Sequence, residues 1–227
     1  PRGITVETSS DSWVYDDLAH SAETFRCIGG TVVEGQQLVA TSAWTTVTTV
    51  AETAPDGKQN VNTFAIFADG IDVTVNYEVE YVYGLLRIIP RAITVTTGSG
   101  EWKYDGSAHA NTAWNEQDNI VDGSIVGGQH IAVSVLGTVT NVWESSVGNN
   151  DCIVTVADID GNDVTENYAI TKQLGTLTIT PRNITLRTLD GSWVYDGTEH
   201  SNTEWQYVGS EDVLVDGEQF VAYQGNY

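Results

Sequence analysis

The string Pro-Arg-x-Ile-Thr occurs three times in 227 residues, at Pro1 to Thr5, Pro90 to Thr94 and Pro181 to Thr185. After each isoleucine the same residues return at the same distances. Trp stands nine residues on (Trp13, Trp102, Trp193), Tyr eleven (Tyr15, Tyr104, Tyr195), Asp twelve (Asp16, Asp105, Asp196) and His sixteen (His20, His109, His200). Position thirteen is Gly106 and Gly197 in two copies and Asp17 in the first. The later half recurs too: Asp72-Val73-Thr74, Asn76-Tyr77, Gly84 and Pro90 return as Asp163-Val164-Thr165, Asn167-Tyr168, Gly175 and Pro181, each shifted by 91. The period is 89 residues for the first copy and 91 for the second. Such a chain reuses one supersecondary unit. It divides into a β repeat over 1–91, a second over 92–182 and a partial third over 183–227. Beginning at a repeat boundary, without a signal segment, and stopping inside a copy, it reads as a window on a longer array.

The segments within a copy alternate apolar and polar residues at period two and favour β-branched side chains, as in Ile93-Thr94-Val95-Thr96, Ile131 to Val135 and Leu177 to Thr180. No stretch of twelve or more carries a helical apolar stripe. Asp-Gly pairs at 56–57, 69–70, 105–106, 122–123, 160–161, 190–191, 196–197 and 216–217 predict tight turns, because both residues tolerate positive φ. Asp17 stands where two copies have Gly, and Asp enters that region more readily than most residues. The expected architecture is all-β, with six to eight short strands per copy in tandem β-sandwich-like domains, alternatively β-grasp-like ones. Only Thr180-Pro181-Arg182-Asn183 separates Ile179 from Ile184. Proline fixes φ and holds its predecessor extended, so the copies are expected end to end, as an elongated and fairly stiff rod.

Nine Lys and Arg against 31 Asp and Glu leave a formal charge of −22. That field repels phosphate backbones and anionic lipid heads, which makes nucleic acid and membrane surfaces poor partners, and neither nucleic-acid binding nor membrane insertion is expected. No run approaches the eighteen apolar residues of a membrane span. Cys27 and Cys152 fall at non-equivalent places in the repeat, so they draw no disulfide per copy. They read as small apolar residues, with a bridge between copies as the alternative.

The pattern Ile-Thr-Val, Trp-x-Tyr-Asp-Gly-x-x-His, a Gly-Gln-x-hydrophobic strand, then Asn-Tyr and Gly-Thr-Leu-Thr-Ile-Thr-Pro is strongest over Trp193 to His200 and Gly175 to Pro181. It resembles the Tyr-Asp-Gly type repeats of large bacterial cell-surface proteins, among the MBG-like and immunoglobulin-like stalk modules of wall-anchored adhesins. The first copy departs most, with Asp17 for Gly and Tyr83-Gly84-Leu85-Leu86-Arg87 for Gly-Thr-Leu-Thr. The resemblance implies an extracellular, wall-anchored location and a stalk that displays a distal adhesive region. It carries no catalytic residues.

Three constellations could carry chemistry. The Trp-x-Tyr pairs lie on one face of a strand; exposed they make a sugar-stacking platform, buried they anchor each core. The residue between them runs Val14, Lys103, Val194, so the intervening face tolerates charge and the aromatic face is expected inward. One fixed His per copy, with no paired Cys and with His130 an extra in the second copy alone, falls short of a metal set and reads as a turn or strand-edge histidine bonded to backbone. Asp158-Ile159-Asp160-Gly161-Asn162-Asp163 with Glu166 echoes a calcium loop, but Gly161 comes two positions early, and a hairpin explains the same residues. No catalytic, cofactor or metal residue is therefore assigned, Ca2+ at the Asp158 loop being the alternative. The repeats are expected to be a monomeric, non-catalytic spacer whose partners are neighbouring repeats of the same chain. The alternative is that they themselves grip host glycan or protein, through segments that differ between copies, Thr24 to Gly35 and Ala113 to Gly128.

Overall fold

The structure is a computed structural model and describes residues 1–118, 125–208 and 213–221. The Asp122-Gly123 turn and the centre of the Ala113 to Gly128 segment lie outside the described residues. Strands take up 43% of the chain and helix 6%, so the protein is all-β. Copy 1 holds β1 (Arg2–Thr8), β2 (Asp11–Val14), β3 (Phe25–Gly29), β4 (Gln36–Ala40), a one-turn helix α1 (Val50–Thr53), β5 (Lys58–Gln59), β6 (Phe64–Ala68), β7 (Ile71–Asp72), β8 (Tyr77–Val82) and β9 (Leu85–Ile89). Copy 2 holds β10 (Arg91–Thr97), β11 (Gly100–Lys103), β12 (Trp114–Asp118), β13 (His130–Val135), β14 (Cys152–Ala157), β15 (Tyr168–Gln173) and β16 (Leu177–Thr180). Copy 3 contributes β17 (Leu186–Thr188) and β18 (Trp205–Tyr207).

The expected alternation is present. In β1 the side chains of Ile4, Val6 and Thr8 are buried while Arg2, Gly3, Thr5 and Glu7 are not. The sheets are small, in orders β3-β1-β8, β2-β9-β5 and β4-β6-β7 in copy 1, and β12-β10-β15, β11-β16 and β13-β14 in copy 2. Copies 1 and 2 each pair their opening with their end, in parallel. Ile4 lies opposite Val79, Trp13 opposite Ile88, and Trp102 opposite Ile179. Parallel neighbours cannot be joined by a hairpin, so this pairing encloses the whole intervening copy.

Two compact units divide the chain. One comprises Pro1–Val95, Glu116–Val133 and Val154–Lys172, the other Thr96–Asn115, Ser134–Ile153 and Gln173–Tyr227. Copy 1 thus lies whole in the first unit, while copy 2 contributes to both. The first unit has two cores. Ile4, Val6, Phe64, Ile66 and Tyr77 form one, inside copy 1. The other joins Tyr15, Ala22, Val47, Leu86 and Ile88 of copy 1 to Ile93, Val156 and Tyr168 of copy 2. In the second unit Val139, Leu177 and Ile179 pack with half-buried Trp102 and Tyr104. Both cysteines are thiols, Cys27 exposed and Cys152 buried.

The inward aromatic face holds for Tyr15, 1% exposed, and fails for Tyr195, 94% exposed. Tyr15 is covered by Ala22, Val47, Leu86 and Ile88 of its own copy and by Ile93, Val156 and Tyr168 of the next, whereas the described residues of copy 3 leave Tyr195 uncovered.

Candidate functional site

The recurring Trp, Asp and His side chains form one construction three times. Asp16 Oδ1 accepts from the Leu18 amide at 3.0 Å and faces His20 Nε2 at 2.8 Å. The His20 ring stacks on Trp13 with centroids 4.9 Å apart and planes 13° from parallel. In copy 2, Asp105 accepts from the Ser107 amide and faces His109 at 3.0 Å, and His109 stacks on Trp102 at 5.0 Å. In copy 3, Asp196 takes the Thr198 amide and His200 at 2.9 Å, and His200 stacks on Trp193 at 5.3 Å. His20 also exchanges both backbone hydrogen bonds with Val47, and His109 with Val139. The backbone bonding expected of the histidines is present at His20 and His109; the carboxylate and indole contacts were not foreseen.

Burial alone would raise the Asp16 carboxyl, but hydrogen bonds from His20 and the Leu18 amide outweigh it and hold the group below its ordinary value. Asp105 and Asp196 are held low as well, first by the amides of Ser107 and Thr198 and then by their histidines. An ionised carboxylate only accepts, so each imidazole donates Nε2–H to it. Carboxylate, imidazole and indole are thereby committed to one another in the turn.

A second recurring site lies where β1 breaks into β2 beside the break between β8 and β9. The Thr8 hydroxyl donates to the Asn60 carbonyl at 2.7 Å and accepts from the Gly84 amide at 3.0 Å. Asn60, fully buried, donates Nδ2 to the carbonyls of Ser9 and Ala22 at 2.9 and 2.8 Å. Thr97, Asn150 and Gly175 repeat the arrangement, with Asn150 donating to Gly98 and Asn111 at 2.7 and 2.8 Å. Gly84 and Gly175 recur visibly in the sequence, and Thr8 and Thr97 keep the 89-residue shift of the first landmarks, but Asn60 and Asn150 are shifted by 90 and fit neither period.

The third site is the joint between copies 1 and 2. The Tyr15 hydroxyl accepts from Gln129 Nε2 at 2.7 Å and donates to Asp17 at 3.2 Å. Gln129 Oε1 in turn accepts from the Tyr168 hydroxyl at 2.6 Å, which takes the Val126 amide at 3.1 Å. The rings of Tyr15 and Tyr168 meet edge to face at 5.6 Å. Arg91 donates to the Tyr15 carbonyl, and Asn167 Oδ1 accepts the Val50 amide at the start of α1 at 2.9 Å. Burial pushes the Tyr15 phenol up to about 12, against the opposing hydrogen bond from Gln129. Between copies 2 and 3, Arg182 donates to the Tyr104 carbonyl and the Tyr104 hydroxyl donates to Glu218 at 2.7 Å. That bond, the first of several causes, raises the Tyr104 phenol.

The Asp158 loop is a turn closed on itself. Asp158 accepts the amides of Asp160 and Asn162 and the Asn162 side chain at 2.8 to 2.9 Å, and Gly161 takes φ 84°. Asp163 accepts the Thr165 amide at 2.9 Å. Among the described residues no three His, Cys, Asp or Glu side chains group as a metal set. The Thr24 to Gly35 segment begins at a groove of about 350 Å3 along Glu7 to Ser10 and Thr24 to Arg26. The equivalent groove in copy 2, along Thr96 to Gly98 and Ala113 to Asn115, measures about 190 Å3. No family model, curated protein or solved structure matches the chain.

Proposed function

We propose that the chain is a non-catalytic spacer, a stretch of the stalk of a bacterial cell-surface adhesin. Its copies would stack end to end to hold a distal binding region away from a cell wall. The observation that carries this reading is the joint. Copies 1 and 2 share a core and a buried Tyr15–Gln129–Tyr168 hydrogen-bond chain instead of a flexible tether. Burying an Ile, Val or Leu contributes about 1.5–3 kcal/mol, while each linker residue held still costs about 1–2 kcal/mol. Pro90 has little freedom to lose, so packing favours a fixed junction. The residues that recur in every copy are spent on turns, the strand break and the joint, which are tasks every copy has. A single active site is not such a task.

Small-angle scattering of the whole chain is expected to give an elongated particle, its length growing by about 30 Å or more per complete copy, the span of a strand of eight to ten residues. A compact globule would overturn the spacer reading. A second reading, in which the repeats grip host glycan or protein, is favoured by the groove beside Phe25, since the equivalent groove of copy 2 has Trp114 there and different polar neighbours. On a glycan array, Phe25→Ala and Trp114→Ala would each abolish a signal seen with the parent chain; no signal from the parent removes that reading.

A further inference from the structure

On copy 2, the side chains of Arg91, Gln129, Asn167 and Tyr168 form the face that receives Tyr15 and the start of α1. Copy 1 carries the same face at Arg2, Gln36, Asn76 and Tyr77, with its internal hydrogen bonds already made. The Tyr77 hydroxyl donates to Gln36 Oε1 at 2.6 Å and accepts from the Val33 amide at 3.0 Å, as Tyr168 does with Gln129 and Val126 at 2.6 and 3.1 Å. The incoming half is what differs. Asn167 is 2% exposed and Arg91 8%, whereas Asn76 and Arg2 are exposed and Gln36 is half-buried. Among the described residues Gln36 Nε2 has no hydrogen-bond partner, and Val33 and Val75 lie exposed on the same segments.

We propose that this face of copy 1 is a docking surface for the tyrosine-bearing end of a further copy of the same repeat, joined ahead of Pro1 as copy 1 is joined ahead of copy 2. The incoming phenol accepts from Gln36 Nε2, its backbone carbonyl accepts from Arg2, and the first amide of its one-turn helix donates to Asn76 Oδ1. The bonds are those of the existing joint. The key position after the glycine is polar in all three copies, as Gln36, Gln129 and Glu218. With glutamate there, the phenol donates instead of accepting. This docking goes beyond the spacer reading, because it is required equally of an array that binds ligand.

The test fuses residues 1–89 directly ahead of the complete 227-residue chain. Hydrogen exchange at the Val33 and Asn76 amides of the original copy 1 is expected to slow at least tenfold. In an absorbance titration the fused chain gains one more tyrosine ionising near the value of about 12 found for Tyr15. Gln36→Ala in the fused chain returns the exchange towards that of the parent, while the original Tyr15 still ionises late and reports a folded joint. Unchanged exchange at both amides, with the added tyrosine ionising at the ordinary phenol value of about 10, overturns the proposal.

Discussion

Gly84 and Gly175 stand where two strand breaks press their backbones together. A Cβ on Gly84 would lie 2.3 Å from the Ser9 carbonyl oxygen, and one on Gly175 would lie 2.2 Å from that of Gly98. Backbone pinned by Thr8 and Asn60 has little room to yield. Gly84→Ala is therefore expected to cost about 3 kcal/mol, the upper end of overpacking penalties, read as a lowered urea midpoint. Tyr15 and Tyr195 make a sharper pair. Tyr15→Phe strands the buried Nε2 of Gln129 and should cost about 1–3 kcal/mol. Tyr195→Phe alters an exposed phenol and should stay within about 0.5 kcal/mol, so equal losses would contradict the joint. At this scale the recurring Trp, Tyr, Asp and His were legible as fixtures of every copy. Their mutual stacking was not, because spacings of three, four and seven residues in irregular chain set no geometry. The orientation of Trp-x-Tyr was readable for a covered copy alone, since its burial is supplied by later segments of the same copy together with residues of the next.

At the level of elements, the turns are held by carboxylates more than by Asp-Gly pairs as such. Gly57, Gly70, Gly106, Gly161, Gly197 and Gly217 do take positive φ, and Asp17 takes 66° where glycine is missing. Gly191 does not; it lies under the ring of Trp193, where a Cβ would meet the indole at 2.1 Å. Asp158 shows what the carboxylate does. It binds two amides and the Asn162 side chain, and these bonds, the Asn162 side chain first, hold its carboxyl low. Asp158→Ala removes these acceptors and should loosen the turn, seen as faster amide exchange at Asp160 and Asn162. Strand existence was legible from alternation and β-branching. Partner choice was not: period two says which side chains share a face but not that β1 would lie parallel to β8, a pairing made by closing a loop of some seventy residues. The shared core between copies was foreshadowed by the short Pro-Arg junction, while its Tyr–Gln–Tyr chain depends on three segments distant in sequence.

Over the whole molecule, two electrostatic effects oppose one another as pH falls. A formal charge of −22 pushes the folded chain apart at neutral pH, and protonation near the ordinary carboxylate value of about 4 relieves that repulsion. Against it, Asp16, Asp72, Asp105, Asp158, Asp163, Asp196 and Glu144 are all held below their ordinary values by hydrogen bonds that need the ionised form. Because their folded values lie below the unfolded ones, they contribute stability above about pH 4 that is lost as pH falls through the folded values. Melting temperature at low salt is therefore expected to rise from pH 7 to a maximum at about pH 4–5 and then drop steeply. Added sodium chloride at about 0.5 M shortens the screening length to a few ångströms. It should raise the pH 7 value and flatten the climb, yet leave the acid drop, because hydrogen bonds at contact distance are screened far less than repulsion spread over the surface. A melting curve at pH 7 indifferent to salt would show that self-repulsion is negligible. A protein that stays equally stable from pH 4 to pH 2 would show that the aspartate turns contribute nothing to the fold.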